Sequence, residues 1–212
     1  MIQNKEWTKT ELADLLALED FSEIYRYADE IREREVGGSI HIRAILEFSN
    51  HCRRKCRYCG LNCENKSLER YRMTPDEIIE TAWKAVDAGY RTIVLQSGED
   101  LWFTPKILGN IVREIKRLGA AVTVSCGEMT AEAYAYLKAS GADRYLLKHE
   151  TADPKLYGML HPCGTLKNRI DCLKILKSLG FETGSGFMIG LPGQTLETIA
   201  EDLLLLKEIG CD

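Results

Sequence analysis

Residues 42–60 read Ile42-Arg-Ala-Ile-Leu-Glu-Phe-Ser-Asn-His-Cys-Arg-Arg-Lys-Cys-Arg-Tyr-Cys-Gly60. The stretch Ile42 to Phe48 is apolar and reads as a β-strand. A CxxxCxxC loop follows directly, formed by Cys52, Cys56 and Cys59. Thiolates spaced this closely can converge on one metal centre, and cysteine is the standard ligand of iron–sulfur clusters. Three protein thiolates on a four-iron cube leave one iron open, which is what separates a reactive metal site from a closed structural one. Two blander readings stand beside this. Cys63 lies four residues further on, so a four-thiolate zinc knuckle is arithmetically possible, although zinc sites usually draw cysteine pairs from separated turns. A disulfide pair is the other.

Outward from that loop, the chain falls into a repeat: a β-rich run, a polar loop, a threonine able to cap, a helix, and a glycine that ends it. Thr74-Pro75-Asp76-Glu77 combines a capping box with proline at the first helical position, and Gly89 closes that helix. Thr104–Gly119, Thr130–Gly141, Thr165–Gly180 and Thr195–Gly210 carry the same punctuation. Between them, Arg91–Gln96, Ala121–Cys126, Arg144–His149 and Thr183–Ile189 are short, apolar and often β-branched, as strands buried on both faces should be. Strand and helix in alternation predict an α/β fold with a parallel sheet, either doubly wound or a (β/α) barrel. In both, chemistry gathers at the C-terminal ends of the strands. The cysteine loop falls there, with Gln96-Ser-Gly-Glu-Asp100, Ser125-Cys-Gly-Glu128, Lys148-His-Glu-Thr151 and Gly190-Leu-Pro-Gly-Gln-Thr195.

Residues 1–40 read as an N-terminal helical segment: a capping box at Thr8-Lys-Thr-Glu11, then Phe21 to Val36 in helical period up to Gly37-Gly38. Residues 41–212 form the sheet-bearing core. The chain stops at Gly210-Cys211-Asp212, where a sixth strand is due, and a closed eight-stranded barrel needs about 250 residues. The expectation is therefore a partial barrel of five strands, the N-terminal part of a longer protein.

The composition, 45% hydrophobic and 28% charged over 212 residues, is that of an ordinary globular domain. A net charge of −4 gives no general attraction to nucleic acid or to an anionic membrane. No apolar run approaches the ~20 residues that span a bilayer, and the polar N-terminus lacks a secretory signal. Eight cysteines in such a chain point to reduced thiols and metal ligands in the cytoplasm. Cys172, inside a helical pattern, reads as a small buried apolar residue; Cys126, Cys163 and Cys211 carry no assignment.

These motifs resemble a family. CxxxCxxC after the first strand of a (β/α) barrel is similar to the radical S-adenosylmethionine (SAM) superfamily. Phe48-Ser-Asn-His-Cys52, Arg57-Tyr-Cys-Gly-Leu61, Val94-Leu-Gln-Ser-Gly-Glu-Asp100, His149-Glu-Thr-Ala152 and Gly190-Leu-Pro-Gly-Gln-Thr195 together resemble the HydE-type maturases of FeFe-hydrogenase. That branch also holds methylornithine synthase and, more distantly, biotin synthase. The likeness runs from about Arg43 to the C-terminus.

The resemblance implies a 4Fe-4S cluster on Cys52, Cys56 and Cys59, and SAM chelating the open iron. It also implies one-electron cleavage of SAM to methionine and a 5′-deoxyadenosyl radical, fed by a reductant such as ferredoxin or flavodoxin. Gln96, Ser97 and Glu99 match the loop that receives the SAM amino group, with Gly98 letting the backbone approach closely. Glu150 matches a carboxylate that contacts SAM, Arg169 the guanidinium that holds its carboxylate, and Met188 a strand residue beside adenine. The plainer alternatives are a solvated loop acid for Glu99, an ion pair for Glu150, an exposed helix charge for Arg169 and an ordinary buried strand around Met188. Arg43, Thr123 and Ser125 match substrate-side positions inside the barrel, where a buried Arg43 needs an anionic partner. Lys148 stands where relatives are expected to carry arginine. The implied substrate is small, a cysteine-ligated iron complex, and other hydrogenase maturases are implied partners. A methylornithine-synthase-like mutase and a non-catalytic metal-binding barrel fragment remain as alternatives.

Overall fold

The structure, a computed structural model, describes residues 5–212. Among them five strands form one parallel sheet in sequence order: β1 Ala44–Ser49, β2 Thr92–Ser97, β3 Ala121–Ser125, β4 Arg144–Leu146 and β5 Glu182–Gly184. Two helices precede it, α1 Lys9–Leu16 and α2 Ser22–Val36. The others are α3 Pro75–Asp87, α4 Pro105–Arg117, α5 Ala131–Ala139, α6 Pro154–Leu160, α7 Leu166–Ser178 and α8 Leu196–Ile209.

Local chemistry accounts for the helix starts. Thr74, Thr104, Thr130, Thr165 and Thr195 are the N-caps of α3, α4, α5, α7 and α8, and each side-chain oxygen accepts a backbone N–H from the first turn. Such a cap satisfies one of the otherwise orphaned amides of a helix end. The sequence reading misses α6, although Asp153 caps it and Pro154 opens it in the same manner.

β4 and β5 are shorter than the sequence predicts, at 3 residues each, and helices pack on one sheet face. Register aligns Leu46, Leu95, Val124 and Tyr145, and this row packs against α3, α4, α5, α7 and α8 through Ile78, Ile111, Leu137, Leu173 and Leu205. The alternate row, Ile45, Val94, Thr123, Arg144 and Glu182, forms the concave face. There Arg144 and Glu182 pair across adjacent strands at 2.6 Å. Ile45 at the β1 edge is 60% exposed, while curvature leaves central Val94 and Thr123 buried. The expectation of strands buried on both faces thus holds at the centres of β2 and β3 and fails at β1, where Ile45 and Glu47 are exposed on the concave side. Arg43 is corrected as well. It lies one residue before β1 and is exposed, so it is no buried cation in need of a partner.

No helix among the described residues is long and apolar enough to cross a membrane. Phe48 is fully buried and stacks edge-on to Phe103 with ring centroids 4.5 Å apart. Phe48→Ala is expected to lower the unfolding free energy by about 3–5 kcal/mol. Ile45→Thr, on the concave face, should change it by no more than about 0.5 kcal/mol. Urea titration of both variants checks this, and equal losses would mean that both faces are packed.

Candidate metal and cofactor site

The loop after β1 descends from Phe48 into the three cysteines, all free thiols. Burial pushes the Cys56 thiol up to about 11, and Cys52 and Cys59 beside it add to the rise. A Cys56 thiol raised in this way is poised for a metal to displace its proton.

The loop after β2 presses against this one. A Cβ built on Gly98 would lie 2.4 Å from the His51 carbonyl oxygen and 2.7 Å from Cys52 Cβ, so only glycine fits. Gln96 and Ser97 are half-buried above it, and Ser97 Oγ donates to the Gly98 carbonyl at 2.8 Å. Glu99 is not a solvated loop acid. It is buried, and its Oε2 accepts from Arg53 Nε at 2.9 Å and Arg54 Nε at 2.6 Å, while its Oε1 accepts from the Glu128 N–H at 3.0 Å. Burial alone would raise this carboxyl, but those donors hold it below the ordinary range.

Arg169 is not an exposed helix charge either; it is 5% exposed. Its Nε donates to Glu128 Oε1 at 2.7 Å, Nη1 to the Lys148 carbonyl at 2.6 Å, and Nη2 to His161 Nε2 at 2.9 Å. Burial and the adjacent Arg169 cation lower the His161 pKa, which keeps the ring neutral and able to accept. Glu128 also takes Arg54 Nη2 on its second oxygen at 2.8 Å. Arg54 and Glu128 are the residues that sequence reasoning missed. Glu128 sits in a rim cluster already picked out, and Arg54 lies inside the cysteine motif, yet only three-dimensional proximity shows that they bond.

Glu150 stands at the end of β4 with φ of 70°, the one non-glycine positive φ among the described residues. Its carboxyl is raised, first by burial, with Arg169 and Lys148 pulling the other way. It makes no ion pair within 4.0 Å among the described residues, so the pairing alternative does not hold. Met188 is half-buried, and its N–H donates to the Glu150 carbonyl at 2.9 Å. Lys148 is exposed. On the concave wall Thr123 is buried with Oγ1 lacking any partner, and Ser125 stands half-buried one row further up. Arg43 is not brought into the site. A cavity of about 610 Å³ lies behind the Arg54–Glu128 contact, on the side of Leu108 and Cys172. Cys56, Cys59 and Glu150 do not line it, whereas Ser97, Gly98 and Glu99 of the loop after β2 do.

Residues 46–206 match the Radical SAM superfamily. The chain belongs to that superfamily. It is 53% identical over 210 residues, 98% of its length, to the [FeFe] hydrogenase maturase subunit HydE of Thermotoga maritima. Among solved structures it resembles methylornithine synthase (PylB), with a TM-score of 0.89, 26% identity and 99% of this chain covered. HydG, another [FeFe]-hydrogenase maturase, follows with a TM-score of 0.83, 27% identity and 97% coverage. The chain spans 60%, 63% and 49% of these three proteins respectively.

Members of the superfamily bind a 4Fe-4S cluster and SAM, and the donor set of this radical SAM chain fits both. It offers three clustered free thiols, a glycine loop in contact with them, and an unpaired half-buried carboxylate on the same rim.

A prediction concerns Asp100, which anchors the same loop. Its side chain is 2% exposed and accepts from Arg72 Nε and Ser49 Oγ, each at 2.6 Å. Burial would raise its pKa, but Arg72, Ser49 and the Trp102 N–H hold it below the ordinary carboxylate value. A carboxyl lowered by folding stabilises fully above its unfolded pKa, and that contribution fades as pH falls through the folded value. Asp100→Asn should cost about 1–3 kcal/mol at neutral pH and flatten the loss of stability below about pH 4. Denaturant titrations from neutral to acid pH test this; an unchanged acid limb would show that the pair contributes nothing.

Proposed function

We propose that this protein is a HydE-type radical SAM enzyme acting in the maturation of FeFe-hydrogenase. The observation that carries this reading is the 53% identity over 98% of the chain to a HydE subunit. Likeness to methylornithine synthase is high in backbone overlap, with a TM-score of 0.89, but stands at 26% identity, which favours shared architecture over a shared substrate.

When bound, the cluster supplies one electron to cleave SAM and generate a 5′-deoxyadenosyl radical. The chain's own residues hold, orient and shield. Cys52, Cys56 and Cys59 give up their protons to become the metal ligands. The backbone at Gln96, Ser97 and Gly98 receives the SAM amino group. The Glu99 side chain is already committed to Arg53 and Arg54, so it braces that loop and leaves the contact to the backbone. Glu150 presents a carboxylate that makes no direct ion pair among the described residues, suited to an ammonium or a ribose diol. Arg169 keeps one N–H on each terminal nitrogen beyond its bonds to Lys148 and His161, and these would hold the SAM carboxylate. Met188 would support the adenine. Thr123 and Ser125 bind substrate from the concave wall, where the unpartnered Thr123 hydroxyl invites a polar ligand. Lys148 meets the substrate as a point charge, without the bidentate grip of arginine. Arg43 stays outside this set in the chain as it stands.

The proposed substrate is a small cysteine-ligated iron complex, and the proposed partners are a ferredoxin or flavodoxin reductant and the other hydrogenase maturases. The eight free thiols suit a reducing cytoplasm.

The test is anaerobic reconstitution with iron and sulfide, followed by EPR of the dithionite-reduced protein with and without SAM. A reduced 4Fe-4S signal that shifts on adding SAM is expected. Cys52→Ala, Cys56→Ala and Cys59→Ala should each abolish it, while Cys63→Ala should leave it intact. Bound zinc, or a cluster indifferent to SAM, would overturn the reading. Release of methylornithine from lysine would transfer it to the mutase class.

A further inference from the structure

The strain at Glu150 needs a cause. A glutamate at φ of 70° occupies a region that non-glycine residues rarely adopt. The Thr151 N–H donates back to the His149 carbonyl at 2.9 Å, closing a three-residue turn centred on Glu150. Turns of this positive-φ kind are rare and strained. Such backbone persists only where its surroundings over-determine it.

The determining group comes from far along the chain. Asp202, on α8, is fully buried, and its Oδ1 accepts from the Ala152 N–H and from His149 Nε2 at 3.2 Å. These two donors flank Glu150 on either side. The other ring nitrogen, His149 Nδ1, contacts Ser185 Oγ at 3.0 Å, and the same hydroxyl accepts the His149 N–H at 3.1 Å. With Nε2–H donated to the carboxylate, Nδ1 is the acceptor for the Ser185 hydroxyl. On the β5 side, the Glu150 N–H donates to the Gly186 carbonyl at 3.0 Å.

Ser185, His149 and Asp202 have the residue types of a hydrolytic triad. His149 and Asp202 are fully buried, however, so no substrate reaches the ring. The chain of bonds works on the backbone instead. It also has a cost: Asp202 Oδ2 is buried with no hydrogen-bond partner among the described residues. An orphaned carboxylate oxygen is expensive to keep, and neither cap nor core packing accounts for it, since Asp202 lies in the middle of α8.

We propose that Asp202 is a positioning residue that, with His149 and Ser185, forces the strained turn at Glu150 and so aims its carboxylate at SAM. This rests on the reading of Glu150 as a SAM contact. Asp202 touches no cofactor itself; it acts through the two residues beside Glu150.

The test is a double-mutant cycle on the anaerobically reconstituted chain. The readouts are SAM dissociation constant by equilibrium dialysis, iron content, and thermal midpoint. Glu150→Ala alone should weaken SAM binding about tenfold or more, as loss of a charge-assisted contact does; unchanged affinity would refute the reading of Glu150 and not the buttress. Asp202→Asn should weaken SAM binding about tenfold in the parent chain, with iron content retained. In the Glu150→Ala background it should cause no further loss. An equal loss in both backgrounds, or no loss in the parent, overturns the proposal. If Asp202→Asn does not fold, Ser185→Ala carries the test, since it loosens His149 and leaves the buried carboxylate in place. A loss of about threefold in SAM affinity, again absent in the Glu150→Ala background, is then expected; affinity unchanged from the parent overturns it.

Discussion

Two arginines and two glutamates, Arg54, Arg169, Glu99 and Glu128, hold the rim of this sheet together. Arg54 comes from within the cysteine motif, Glu99 and Glu128 follow β2 and β3, and Arg169 lies in the first turn of α7. Each carboxylate is met on both oxygens, and the cluster is electrically balanced within itself. Buried ion pairs of this kind contribute little net stability against apolar replacements, yet removing one member typically costs about 3–5 kcal/mol, because an uncompensated charge remains. The network therefore fixes relative position more than it adds to stability. The cysteine loop has little secondary structure of its own, and Arg54 ties it to β2, β3 and the Cys163 carbonyl at once.

Two glycines make that arrangement sterically possible. A side chain on Gly98 would strike His51 and Cys52, and one on Gly127 would reach within 2.2 Å of Glu99 Cγ. At Gly127 the positive φ of 78° adds a backbone reason to the steric one. Both positions keep loops from different strands in contact, so that charges distant in sequence meet at hydrogen-bond distance.

Much of this was legible in the sequence where the governing physics is local. A threonine cap, a proline in the first turn and a closing glycine act within a few residues, and five helix starts appear where those signals lie. The parallel order of the strands followed from the same alternation. Local patterns gave less at β4 and β5, which end at Leu146 and Gly184, because the chain beyond them is diverted into the turn at Glu150 and its bridge to Phe187. Apolar composition there did not distinguish a strand from a loop that packs. The exposure of Arg43 has a related reason: the apolar run begins before the sheet does. The buried setting of Arg169 and the service role of Glu99 had no sequence signal, since their partners lie 41 and 45 residues away.

The threonine-capped helices have a consequence in the language of electrochemistry. All five begin after a strand's C-terminal end, so their N-termini are gathered on the rim that carries the cysteines. Each helix end carries a partial positive charge of roughly half an elementary charge. A ring of such ends creates a field that favours gaining negative charge at the rim. Reduction potentials of clusters respond to net charge and to hydrogen bonding at the sulfurs. The fold thus supplies a background of positive helix ends on that rim before a single side chain is considered.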